Sequence, residues 1–202
     1  MSSSLQELVN LLNEIGMLAH VPRSGFAFLG SGEQSVAEHS FRVALIAYAL
    51  AHLSSEPVDR YKLIMLCLVH DLPESRIGDL NYVQKKYVTA HLNKALEDLS
   101  KGSDLGPEIV SWIEDYEQEE SLEARLAHDA DQIELLLVLK REQELGNARA
   151  HDWFQNGLKR IKTKEGKQLA EAIQETASDH WWMGDREDPH WIDGGKGKKP
   201  SS

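Results

Sequence analysis

Apolar residues recur at three- and four-residue spacing along most of the chain, the pattern of amphipathic helices. Leu5, Leu8, Val9, Leu11, Leu12 and Ile15 form one stripe and predict a first helix ending near Gly16. Residues 17–34 hold Pro22, Gly25, Gly30 and Gly32 and predict a loop, long for a compact domain and therefore a candidate for function. Ser35, with Glu38 three residues on, makes a capping box for a helix reaching about Leu53. Pro57 fits the first turn of the next helix, whose apolar run Leu63–Val69 leads to Asp71. After breaks at Pro73 and Gly78, the spacing of Val88, Leu92, Ala95, Leu96 and Leu99 predicts a helix over 83–99. Pro107 opens another to about Gln118, Ser121 caps a long one to about Glu144, and a last one covers about 164–177. No period-two alternation, repeat or linker interrupts this order. The expectation is a single all-α helical bundle over residues 1–178. Residues 179–202 form a tail carrying Trp181, Trp182 and Trp191, and its Gly- and Lys-rich end reads as disordered.

With 202 residues the chain is long enough to bury one sizeable core. A content of 41% hydrophobic and 27% charged residues is ordinary for a globular protein. The formal net charge of −11 argues against a nucleic-acid polymer as partner. No stretch is long and apolar enough to span a bilayer, and the first residues lack the basic and apolar regions of a signal peptide. The one cysteine, Cys67, lies in the apolar run and reads as a small core residue in a reducing compartment. A cytoplasmic protein is expected, with no membrane partner.

The chemistry concentrates in four residues. His70 and Asp71 end the apolar run, and adjacent helical residues point about 100° apart. Both can reach one point only from a helix end or a tight bend. An imidazole beside a carboxylate suits a divalent transition metal. His39 opens the helix capped by Ser35, and Asp131 shares a face of the long helix with Ala127, Leu135 and Val138. An acid on an apolar face needs a partner, and a metal is a good one. Ligands drawn from three helices are how helical proteins build metal sites in their cores.

These residues resemble the HD-domain metal-dependent phosphohydrolases, and the flanking segments resemble its 5'-deoxynucleotidase subfamily. The likeness covers roughly residues 5 to 145. It rests on His70-Asp71-Leu72-Pro73-Glu74-Ser75-Arg76-Ile77-Gly78-Asp79, on Val21-Pro22-Arg23-Ser24-Gly25, on Ser35-Val36-Ala37-Glu38-His39, on Trp112 to Tyr116, and on Asp131-Gln132. Phe26 departs from the pattern, since the family often has a Trp nearby that is linked to substrate selection. The resemblance implies an HD-domain helical bundle and a homodimer. It implies that His39, His70, Asp71 and Asp131 hold one divalent metal, from among Mn, Co, Mg, Fe, Ni, Cu and Zn. Glu74 would orient or deprotonate a water, Asp79 would accept a hydrogen bond from the sugar 3'-hydroxyl, and Arg23 would hold the phosphate. The implied activity is hydrolysis of nucleoside 5'-monophosphates, with deoxyribonucleotides the expected class.

Two alternatives stand beside this one: an HD phosphohydrolase acting on a different phosphate ester or nucleotide, and a metal-stabilised binding or regulatory module with little turnover. Glu74 argues against the second, because holding a metal does not require it. His91 reads as a partly buried helix residue, which favours one metal over two. Asp129 points to another helix face. The tail tryptophans read as docking on the core or on a dimer partner in preference to forming a lid.

Overall fold

A computed structural model describes residues 3–185, 187 and 188 of the chain. Its helices are α1 (Ser3–Gly16), α2 (Phe26–Leu29), α3 (Val36–Leu53), α4 (Arg60–Val69), α5 (Glu74–Ile77), α6 (Leu92–Lys101), α7 (Gly106–Gln118), α8 (Leu122–Glu144), α9 (Arg149–Leu158), α10 (Lys164–Glu175) and α11 (His180–Met183). No strand occurs among the described residues, so the all-α expectation holds. The family-implied bundle takes a definite form. α3, α4 and α8 pack on one another, α9 and α10 lie on α8, and α7 packs on α4, α6 and α8.

Local chemistry explains several helix starts. The Ser35 hydroxyl accepts from Glu38 N–H and the Glu38 carboxylate accepts from Ser35 N–H, the reciprocal capping box. Ser121 caps α8 through Ala124 N–H, and Pro107 sits in the first turn of α7. α4 begins later than expected, at Arg60, because the Asp59 side chain accepts from Lys62 N–H and sets the boundary there. Pro57 therefore lies outside the helix.

The helix expected over 83–99 is a correction. Only the short turn Gln84–Lys86 and α6, from Leu92, are helical. The Asn81 side chain accepts from Val83 and Gln84 N–H and closes that turn. Tyr87 and Val88 are exposed, so no buried stripe carries the helix through 87–91. His91 is exposed at the start of α6 and is not the partly buried helical residue that was expected. The loop 17–34 contains the turn Met17–His20 and α2, and it is pinched at its base, where Arg23 N–H donates to Gln34 O and Val36 N–H to Val21 O. Trp181 and Trp182 lie on α11 and are exposed rather than docked on the core, while Trp191 and the Gly-Lys end lie outside the described residues.

Two apolar clusters fill the bundle. The larger joins α3, α4 and α8 through Leu50, Leu63, Leu66, Ile133, Leu136 and Leu139, all fully buried. Truncating one of these to Ala costs about 2–5 kcal/mol. The smaller joins α1, α4, α6 and α7 through Leu11, Val69, Leu99, Ile109 and Ile113. Cys67 is buried in the larger cluster, and its apolar surroundings push the thiol well above its ordinary range. Asp129 is also buried, accepting from Lys162 N–H, Thr163 N–H and the Thr163 hydroxyl ahead of α10, a structural role away from the metal candidates.

Candidate metal centre

The core places the ends and faces of α3, α4 and α8 at one point. His39 lies in the first turn of α3. His70 caps the C-terminal end of α4, and the chain bends at once through Asp71, Leu72 and Pro73 into α5. That bend turns Asp71 back toward the same point as His70. Gly78, at φ 74°, ends α5 in a conformation that only glycine adopts readily and starts the segment carrying Asp79.

The nitrogens and oxygens converge. One ligand atom each from His39, His70 and Asp131 lies within 4.8 Å of the others. Asp71 Oδ2 is 3.2 Å from His70 Nε2 and 3.6 Å from His39 Nε2, and Asp131 Oδ1 is 3.0 Å from His39 Nε2. Both Nε2 atoms are buried, and none of the three contacts is aligned as a hydrogen bond. Each ring has its other nitrogen occupied: His70 Nδ1 donates to Cys67 O at 2.8 Å, and His39 Nδ1 lies 3.0 Å from Glu134 Oε2. A neutral ring so held carries its proton on Nδ1 and turns the Nε2 lone pair inward. Two orphaned nitrogens facing two carboxylates form a donor set that fits a divalent ion.

Glu134 is the residue that sequence reasoning missed. It is 2% exposed and accepts from Gln34 Nε2 at 2.8 Å, while Arg42 lies 3.0 Å away. Its signal was present: an acid three residues after Asp131, one helical step along the same face, in the run Ile133–Leu139. Tyr116 completes the surroundings, its ring 4.9 Å from that of His70 and stacked on His128 at 3.9 Å.

Arg23, the loop cation, reaches the same point. Its guanidinium is 3.0 Å from Asp71, 3.9 Å from Asp79 and 4.0 Å from Asp131. Burial disfavours its charge, and the three aspartates more than restore it. Asp79 Oδ2 accepts from Ser24 N–H at 2.8 Å and so ties the loop to the chain after α5. Glu74 Oε2 is buried without a partner. Burial, then the charges of Asp71 and Asp79, push its carboxyl up to about 8. Burial also opposes the charge of His70, but Asp71 outweighs it and raises the ring to about 9. For Asp131, contact with His39 and the charges of His39, His70 and Arg23 overcome burial and hold the carboxyl below its usual range. Of the residues singled out from the sequence, His39, His70 and Asp131 form a group that could hold an ion, Asp71 and Arg23 are in ion-pair contact with it, Asp79 lies near Arg23, and Glu74 is within reach of the charges of Asp71 and Asp79.

A helical bundle that brings a His from one helix, a His-Asp pair from the end of a second and an Asp from a third to one point has the make-up of an HD domain. The chain belongs to the HD domain family, whose family model matches residues 15–182. It is 27% identical over 187 residues to a 5'-deoxynucleotidase of Xenopus laevis, covering 86% of this chain and 89% of that protein. It is 29% identical over 177 residues to a 5'-deoxynucleotidase of Saccharomyces cerevisiae, covering 79% and 71%. Among solved structures it is similar to a conserved hypothetical protein from Pyrococcus furiosus, with a TM-score of 0.72, 25% identity, and coverage of 83% of this chain and 99% of that one. A predicted metal-dependent phosphohydrolase from Magnetospirillum magnetotacticum matches with a TM-score of 0.69, 26% identity and coverage of 87% and 96%.

Proposed function

We propose that the protein hydrolyses nucleoside 5'-monophosphates, with deoxyribonucleotides the expected class, to nucleoside and phosphate. The observation that carries this is the pair of buried, orphaned His Nε2 atoms facing Asp71 and Asp131, with Glu74 and Arg23 alongside. The 5'-deoxynucleotidases among its relatives support the substrate class. His39, His70, Asp71 and Asp131 would hold one divalent ion. When bound, it lowers the pKa of water, polarises the phosphoryl oxygens and offsets the Asp71 charge that pushes Glu74 up.

The chain's own residues do the rest. Arg23 holds the phosphate dianion, since its planar fork matches two phosphoryl oxygens and its charge persists despite burial. Glu74 takes a proton from the attacking water at Oε2, and a carboxyl poised near neutral pH is suited to pass it on to the leaving 5'-oxygen. Ser24 N–H occupies Asp79 Oδ2, leaving Oδ1 for the sugar 3'-hydroxyl. That contact reads the sugar and not the base. Residues 1–178 act as the catalytic unit in this reading, and the cytoplasm is its compartment. A second copy of the chain would cover the apolar groove of about 460 Å³ that Leu12, Ile15, Phe41, Tyr61 and Leu68 help to line. No helix among the described residues is long and apolar enough to cross a membrane.

The test is phosphate release from a panel of nucleoside monophosphates after loading with Mn, Co or Mg. Hydrolysis of 5'-monophosphates of all bases, with 3'-monophosphates spared, supports the reading. A 3'-phosphate would set a dianion against Asp79, and like charges repel. Release only from other phosphate esters points to a different HD phosphohydrolase. Tight metal binding without release from any ester points to a binding module.

A further inference from the structure

α9 forms part of the wall of a cavity of about 850 Å³ that Arg23 and Asp79 also line. Pockets that enclose small ligands run roughly 300–1,000 Å³. The helix has two faces. Ala150, Phe154 and Gly157 are buried on the core, and a Cβ at Gly157 would meet Leu136 Cδ2 at 2.8 Å. Arg149, Asp152, Trp153 and Asn156, at spacings of three, four and seven, line the cavity.

The core accounts for only part of the aromatic content of this cavity. Trp153 and Phe26 are half-buried, packed against the larger core cluster, and both line the cavity. Phe28 and Tyr82 line it too, with ring centroids 5.4 Å apart, 37% and 66% exposed. Two fixed rings and two exposed rings thus border one space that begins at the residues assigned to phosphate and sugar. Aromatic platforms take nucleobases of any identity, because every base has a π face. An aromatic surface is equally consistent with the breadth across bases that the Asp79 contact implies.

We propose that this cavity is the nucleobase subsite and that Trp153 is its stacking platform, an assignment that rests on the nucleoside 5'-monophosphate reading above. A purely structural role is available to Trp153, since a Cβ at Gly25 would stand only 3.1 Å from its Cη2 and the Arg23 loop rests on the ring edge. The two roles differ in what a substitution removes. A prop for the loop serves the phosphate end, whereas a stacking ring serves the base alone.

The experiment uses the full-length, metal-loaded chain and the two products, which cannot turn over. Calorimetric titration with deoxyadenosine and, separately, with inorganic phosphate is carried out on the wild type, W153A and W153F. The expected result is roughly tenfold weaker deoxyadenosine binding in W153A, phosphate affinity within about twofold of wild type, and W153F within about threefold for both. Loss of both ligands in W153A makes Trp153 a prop and overturns the assignment, as does unchanged deoxyadenosine binding. Selective loss of deoxyadenosine in a protein that releases no phosphate from any 5'-monophosphate upholds the subsite and overturns the phosphatase reading instead.

Discussion

Glu134 makes a prediction that a metal site defined by its ligands alone would not. It sits behind His39, 2% exposed, with Oε2 3.0 Å from Nδ1. Replacing Glu134 with Ala leaves a buried N–H without an acceptor and frees the ring to turn. A buried hydrogen bond to a charged group is worth about 1.5–3 kcal/mol. At about 1.4 kcal/mol per decade, metal affinity should fall roughly 10- to 100-fold, in line with losses of such supporting partners elsewhere. Arg42 loses its partner as well, but it is half exposed and water replaces the contact. Glu134→Gln keeps an acceptor and the volume but removes the charge, so its loss should be smaller, about tenfold or less. Titration of metal-depleted protein with Mn or Co, followed by calorimetry, measures both variants. The Gln variant also separates ligand orientation from the cavity that Ala creates. Wild-type metal affinity in both would refute the claim that Glu134 orients His39.

Three further outcomes follow from the same geometry. Glu74→Ala should retain metal and nucleotide binding while turnover drops about 10²-fold or more, because buried Oε2 has no hydrogen-bond partner to lose; unchanged kcat at saturating metal would make Glu74 an ordinary turn residue. Arg23→Ala should raise KM for all bases alike, as befits a phosphate contact, and steady-state kinetics that showed a base-dependent effect would contradict it. Metal binding should release a proton from the protein near neutral pH. His70 is raised to about 9 in the metal-free chain, so at pH 7 it carries a proton that an ion must displace. Affinity should therefore climb with pH, by up to about tenfold per unit, and level off above about 9. A pH-independent affinity between 6.5 and 9 would contradict a protonated His70 in the metal-free site.

The parts of the fold that were legible in the sequence are those with local causes. The Ser35–Glu38 capping box, the Ser121 cap and Pro107 mark helix starts by chemistry confined to four residues. The His70-Asp71 pair implied a bend, and the bend is there because α4 ends at Val69. What was illegible depends on partners far along the chain. α9 buries only Ala150, Phe154 and Gly157, too small a stripe to stand out, and it is held by close approach to Leu136. The 83–99 segment had helical spacing, but Val88 finds no core to pack on and stays exposed. Glu134 looked like one more surface acid on a long helix; its meaning comes from His39, 95 residues away. Arg23 and Asp79 were placed by resemblance, and the contact that joins their segments, Ser24 N–H to Asp79, is a tertiary one.

The central claim is that His39, His70, Asp71 and Asp131 hold the ion on which phosphate release depends. Elemental analysis paired with phosphate release from a deoxynucleoside 5'-monophosphate, in the wild type and in Asp71→Ala, tests it most directly. The wild type should carry about one divalent ion per chain, lose activity on chelation and regain it on metal return, whereas Asp71→Ala should be depleted in metal and inactive. Full metal occupancy with retained activity in Asp71→Ala would contradict the account.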